Sequence, residues 1–368
     1  MKIQCKKNEL DQSLKYITPF LSSKGLRASS FGIKNLDDKF IFSYYNEMMG
    51  IGIWAPFEAP VLEPFSKCID SALFPKIIAN FPAEDLTLNF TDRNLQVSNP
   101  TNKHKISINY TDDEPEPIII PMPDSIAITM KGTTLKEALK HGAPFVSNLI
   151  VNPVVMMIHI VVDNKNLRYY STDGTARVAH GFTTTDDVEC LKNDDFYIPG
   201  AIAEKLGNIC SDDEIKIFKH ANYLVLISNG ITYKILPYIG EFNPKVKEFS
   251  EKSGEDILEV NVGTLSKALA LLALVSKDLS VTKDRVGLKE QNGEVLTFLD
   301  DDNIFTVGHS LKSFTPIYFN SSVLSTFLSL YEPSDSIIIS KTIIELPHPP
   351  HRFYKKDINF SMLLMEMT

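Results

Sequence analysis

The chain has 368 residues, 43% of them hydrophobic and 23% charged, with a formal net charge of −9. That length exceeds one ordinary core and predicts two or three domains, and that composition excludes a disordered chain. The acidic balance argues against gripping nucleic acid by bulk positive charge, although it leaves room for one basic surface. No apolar run reaches the ~18–20 residues that span a bilayer. Met1-Lys2-Ile3-Gln4-Cys5 lacks the apolar stretch of a signal peptide, so a cytoplasmic location and no membrane partner are expected.

From the N-terminus, Leu10 and Leu14 are followed by Lys15 and then by Pro19-Phe20. Leucines four apart share one helical face, so this segment packs one side onto something. Ser71 to Phe81 reads as a second helix, carrying Lys76, with alternating strands after it at Asp85-Leu86-Thr87-Leu88 and Leu95-Gln96-Val97. Ile106 and Ile108 alternate as in a strand, and the acidic, proline-rich stretch from Tyr110 to Pro117 reads as a linker. The same order then begins again. Leu135, Leu139, Lys140 and Pro144-Phe145 repeat the first segment, with Lys136 and His141 on the same helix. Gly200 to Ile209, carrying Lys205, precedes strands at Glu214–Ile217 and Tyr223–Leu226. The charged stretch from Glu241 to Glu255, with Pro244 and Gly254, reads as a second linker. The third copy keeps Leu265 and Leu269, with Lys267 between them. It continues with a helix from Asn320 to Leu330 and strands at Ser336–Ile339 and Ile343-Ile344.

The offsets agree: Leu10 to Leu135 is 125 residues, Leu135 to Leu265 is 130, Leu86 to Ile215 is 129 and Ile215 to Ile337 is 122. Three units therefore cover the chain. The expected fold class is α+β, with three two-layer domains (residues 1–122, 123–252 and 253–368), each a helix pair packed on antiparallel sheets. Lysines recur on the helices while acidic residues gather in turns such as Asp112 to Glu116 and Asp300 to Asp302. Such a chain could present a basic helical layer against a negative exterior. Lysine is also a good former of any solvated helix, and Glu9, Asp11, Glu137 and Glu204 share these helices. Lysine meets phosphate as a point charge, so DNA binding through such a layer would be independent of sequence and sensitive to salt.

Catalytic patterns are missing from the sequence. Cys5, Cys68, Cys190 and Cys210 are scattered without a CxxC pair, which argues against a disulfide framework or a cysteine metal site. Neither a phosphate-cradling glycine loop nor a hydrolase or kinase signature occurs. His348-Pro349-Pro350-His351 offers two imidazoles, but its prolines account for it as a turn. Asp173-Gly174-Thr175 reads as a strand-ending turn rather than an acid nucleophile. No enzymatic activity, cofactor or metal is expected.

Five segments occur in a telling order: Leu167-Arg168-Tyr169-Tyr170-Ser171-Thr172-Asp173-Gly174, Tyr197-Ile198-Pro199, Gly240-Glu241-Phe242-Asn243-Pro244, Phe319-Asn320, and the apolar tail Met362 to Met367. Together they resemble the bacterial-type DNA sliding clamp, the beta subunit of the replicative DNA polymerase, as a divergent member. The resemblance implies three similar domains per chain and a head-to-tail homodimer closed into a ring around double-stranded DNA. It also implies a cleft between the second and third domains that binds short linear peptides of the DNA polymerase and the clamp loader. At the family's interior positions Lys24 stands for an arginine, with Arg27 and Asn148 nearby; Lys15, Lys76, Lys136, Lys140, Lys205 and Lys267 are further DNA-binding candidates by location. The cleft would comprise Val155, Thr172, Gly174, Arg177, Val178, Pro244, Lys247, Phe249, Asn320, Val323, Ile343, Leu363, Leu364, Met365 and Met367. Methionine repacks readily, which suits a trough serving several peptides. The dimer contact would join Ile106 and Ile108 to Leu274 and Val275.

The sequence departs from the family at three places. Thr175-Ala176-Arg177-Val178 stands where the family shows His-Arg-Leu, Asn243 precedes Pro244, and the tail ends in Thr368. These departures leave partner preference open. The alternative reading is a clamp-fold peptide-binding scaffold or decoy that does not encircle DNA.

Overall fold

Alternating apolar side chains turn much of this chain into strands. In Asp85–Phe90, for instance, Leu86, Leu88 and Phe90 are buried while the residues between them face outward. The structure is a computed structural model that describes the chain except residues 22–28, 37–38, 48, 60–63, 72, 100, 102, 116–125, 148–152, 164, 176, 185, 191–193, 221, 237–241, 277–284, 344–348 and 368.

The expected order of elements recurs three times. The first copy runs Lys2–Lys6, helix α1 (Lys7–Leu14), four strands from Ser29–Leu36 to Ser66–Ile69, helix α2 (Leu73–Asn80), then Asp85–Phe90, Asn94–Ser98 and Lys105–Thr111. The second runs Ile126–Lys131, α3 (Gly132–Gly142), strands from Met157–Asp163 to Asp194–Pro199, α4 (Gly200–Ile209), then Glu214–Lys219, Leu224–Ser228 and Ile231–Ile235. After α5 (Pro244–Glu251), the third runs Gly254–Asn261, α6 (Val262–Ser276), strands from Arg285–Gln291 to Ile317–Asn320, α7 (Ser321–Leu328), then Ser336–Thr342, His351–Tyr354 and Phe360–Leu364. The three leucine pairs that marked the repeat, Leu10 with Leu14, Leu135 with Leu139 and Leu265 with Leu269, are all buried. Pro19-Phe20 and Pro144-Phe145 follow α1 and α3 with 3-10 turns that bury their phenylalanines.

By its contacts the chain divides into two compact units. One comprises Met1–Lys136 and Asp186–Pro237, the other Glu137–Thr185 and Tyr238–Thr368. The first holds a 13-stranded sheet. Within it, Ile51–Glu58 of the first repeat pairs antiparallel with Ile231–Ile235 of the second, Ile53 lying opposite Tyr233. The second unit repeats the device: Arg177–Thr184 of the middle repeat pairs with Phe360–Leu364 of the last, Val178 opposite Leu363. The middle repeat thus lends strands to both sheets, so compactness by contact cuts through it. In the first unit α1 packs on α2 and on Ile51–Glu58; in the second α6 packs on α7 and on the strands behind it. Aromatic rings fill both cores, with Phe31, Phe42 and Phe74 in one and Phe319, Phe327 and Phe353 in the other.

Two local expectations are corrected. The stretch 241–255, expected as a linker, contains α5 and the start of a strand. The side chain of Asn243 accepts from the Lys245 N–H and Pro244 occupies the first turn, which together start a helix. The expected strand at Ile343-Ile344 does not include Ile343, because pairing ends at Thr342 and Ile343 is 71% exposed; Ile344 lies outside the described residues. No helix among the described residues is long and apolar enough to cross a membrane.

Candidate functional site

The strand Asn166–Thr172 ends in a turn stiffened by its own side chains. The Thr172 hydroxyl donates to the Arg177 carbonyl at 2.7 Å and accepts from the Gly174 N–H at 3.0 Å. Asp173 Oδ1 accepts from the backbone N–H groups of Thr175 and Arg177 at 3.0 and 3.2 Å. Arg177 Nε lies 3.0 Å from Asp173 Oδ2, an ion pair whose N–H is not aimed at the carboxylate. Gly174 takes φ +80°, and a Cβ there would stand 3.1 Å from Val155 Cγ1, so this turn favours glycine on both counts.

Beside this turn a cavity of about 380 Å³ opens, lined on one side by Val155, Thr172, Gly174, Arg177 and Val178 and on the other by Phe249, Leu363 and Met365. Eight candidates drawn from distant stretches of sequence therefore meet in one place, within the second unit. The cavity also takes in Phe242, Asn243, Val246 and Pro350, which were not among the cleft candidates. Phe242 and Asn243 belong to the segment that carried the family resemblance, and Val246 precedes Phe249 by three residues on α5, a spacing that could have found it.

Helix α5 forms one wall. Tyr170 and Arg168, on the neighbouring strand, both donate to Glu251 Oε1, at 2.9 and 3.0 Å, and Arg352 donates to the carbonyls of Ser250 and Lys252. Burial and the Glu251 bond push the Tyr170 hydroxyl up to about 12, so it remains a donor.

The other cleft candidates do not line this cavity. Pro244 is exposed at the start of α5, and Lys247 lies over the Tyr170 ring at 5.7 Å. Asn320 caps α7 by accepting from the N–H groups of Ser322 and Val323. Val323 is half-buried in the first turn of α7, and Leu364 is buried in its strand. The Met367 N–H donates to the Tyr318 carbonyl at 2.8 Å, and Ile343 is exposed.

Lys24, Arg27 and Asn148 lie outside the described residues. Lys76, Lys136, Lys140 and Lys267 are exposed on α2, α3 and α6, and Lys15 is exposed just after α1. None of these five has an ion-pair partner among the described residues, although Lys15 Nζ sits 4.7 Å over the Tyr16 ring. Several lysines elsewhere are occupied by carboxylates, among them Lys39 with Glu58, Lys219 with Asp194 and Lys355 with Asp335. Lys205 on α4 is half-buried, and desolvation pulls its ammonium below the usual lysine range.

Of the four candidates for self-association, Ile106, Leu274 and Val275 are exposed at 40%, 61% and 37%, while Ile108 is buried in the core of its own unit. The Lys105–Thr111 strand pairs along 105–109 with Asn94–Ser98. Its other neighbour, Ser66–Ile69, reaches only Tyr110 and Thr111, so among the described residues 105–109 keep an open edge.

No family model matches this sequence, and no curated protein matches it. Solved structures do. The chain is similar to the DNA polymerase III beta chain of Streptococcus pneumoniae TIGR4, at 17% identity and TM-score 0.84 over 100% of this chain and 99% of that one. It is similar to the DNA polymerase sliding clamp of Bacillus subtilis, at 15% and 0.84 over 100% and 99%. It is also similar to the DNA polymerase III beta subunit of Thermotoga maritima, at 15% and 0.83 over the same shares.

Proposed function

We propose that this chain, which has the sliding-clamp fold of DNA polymerase III beta subunits along its whole length, is itself a divergent, non-enzymatic sliding clamp. Two copies join head to tail into a ring around duplex DNA, each contributing three domains at residues 1–122, 123–252 and 253–368. A polymerase and a clamp loader dock short peptides in the cavity beside α5. The observation that carries this reading is the full-length coincidence of fold with the clamps. The exposed lysines of α2, α3 and α6, free of carboxylates among the described residues, add support. Unpaired ammonium groups remain available to neutralise phosphates and release counterions.

Retention on DNA tests it. Protein loaded onto closed circular DNA should stay bound and leave once the circle is linearised. The double substitution Lys136→Glu with Lys140→Glu should shorten retention and lower the slope of log affinity against log salt by about 2. Equal escape from circular and linear DNA would leave the scaffold reading in its place.

A further inference from the structure

A second cavity, of about 420 Å³, opens on the second unit's sheet and shares no lining residue with the cleft. Three polar atoms of its lining residues are buried and have no hydrogen-bond partner among the described residues: His180 Nε2, Ser340 Oγ and Arg352 Nε. The strand register brings them to one face. Ser340 lies opposite Arg352, His180 opposite Ser361, and Ser361 opposite Tyr354, two residues along from Arg352. Residues directly opposite in an antiparallel pair, and residues two apart on one strand, share a face.

The groups are held in place. Arg352 gives Nη2 to the carbonyls at the end of α5, which fixes the guanidinium and leaves its Nε–H buried without an acceptor among the described residues. The His180 ring stacks on Tyr170 at 5.0 Å. Gly254 leaves room for the Ser340 hydroxyl, since a Cβ there would fall 2.7 Å from Ser340 Oγ. Charge in the lining favours an anion. Arg352, Lys355 and Lys356 stand against one carboxylate, Asp256, which is engaged by the Tyr354 hydroxyl at 2.8 Å. Lys355 is matched by Asp335, while Lys356 is exposed at the rim. Phe182 and Ile358 supply an apolar wall.

A guanidinium N–H can only donate, and a serine hydroxyl and a neutral imidazole can both donate as well. Burial holds His180 neutral down to about pH 4, so its ring adds a hydrogen bond and no charge. A buried donor without an acceptor is unfavourable until one arrives. We propose that this cavity binds an oxyanion, a carboxylate or a phosphate ester, carried on a small molecule with an apolar portion. Arg352 Nε, Ser340 Oγ and His180 Nε2 would supply donors to the anion, Lys356 would draw it in, and the apolar wall would cover the remainder. The size falls within the usual range of small-molecule sites.

The histidine imidazole resonances of the full chain provide the test. They are followed by nitrogen–proton correlation spectroscopy during titration with inorganic phosphate and, separately, with acetate, each against sodium chloride at matched ionic strength. The His180 resonances should move saturably with at least one of the two oxyanions and not with chloride. Tighter phosphate identifies a phosphate ester as the ligand chemistry, and tighter acetate a carboxylate. Ser340→Ala should weaken binding about tenfold, and Lys356→Ala should weaken it less. Both variants leave the Arg352 anchor on α5 intact, and unchanged melting temperatures verify their folds. A response to phosphate and acetate no different from that to chloride, which means the donors meet only water, overturns the proposal. So does saturable binding that Ser340→Ala leaves unchanged.

Discussion

Three imidazoles sit inside the second unit as neutral groups. His141 stacks on Phe360 at 4.4 Å with its Nδ1 2.7 Å from the Tyr169 hydroxyl, His351 meets the edge of Phe319, and His180 lies on Tyr170. Burial lowers each to about 4. The unfolded chain takes up these protons near the ordinary value of about 6.5, and the folded chain resists until about pH 4. Folding therefore competes with protonation as pH falls, and stability is lost through that window. Urea unfolding should show a plateau above pH 7 and a decline from pH 6.5 to 5 of order 1 kcal/mol per pH unit for each histidine. Carboxylates such as Glu58 and Asp335, held low by Lys39 and Lys355, add their losses only in a more acidic range. A flat profile between pH 6.5 and 5 would contradict burial of the neutral rings.

At the scale of elements, α5 decides the shape of the cleft, because Val246 and Phe249 reach the cavity from it. Its start depends on Asn243, so Asn243→Ala should remove about 1 kcal/mol of helix stability and weaken a fluorescent cleft-binding peptide several-fold in anisotropy titrations. An unchanged affinity would show that the wall holds without its cap. The same helix shows where the sequence was and was not legible. Leucine pairs announced α1, α3 and α6 because a single apolar face suffices to bury a helix on a sheet. Between residues 241 and 255, proline and dense charge suggested a loop, whereas proline directly after an asparagine marks the first turn of a helix. Most of the cleft's turn was legible through its resemblance to a known segment. Pro350 was not, since only the fold brings it to the cavity that Val178 lines. Alternation placed Ile106 and Ile108 on one side of a strand, but period two does not report depth: Ile108, opposite Leu95, is buried, whereas Ile106, opposite Val97, is 40% exposed.

For the whole molecule, the proposed ring needs two unlike apolar surfaces. The open edge at 105–109 with Ile106 offers one, and the last turns of α6, with Leu271, Leu274 and Val275 exposed, offer the other. Contacts between unlike surfaces close into a ring only when the rotation between copies allows it. Light scattering at micromolar concentration should give twice the 41.3 kDa chain mass. Leu274→Asp should raise the dissociation constant at least tenfold, as expected from burying one leucine. A monomer in both cases would remove the ring.

The joins between repeats are made of main chain. Ile51–Glu58 meets Ile231–Ile235, and Arg177–Thr184 meets Phe360–Leu364, through amide-to-carbonyl ladders that any non-proline residue can build. Evolution can thus replace almost every side chain along these seams, provided inward positions stay apolar, and the architecture survives. A protein assembled in this way can keep its strand order long after its spelling has ceased to match that of other proteins with the same fold.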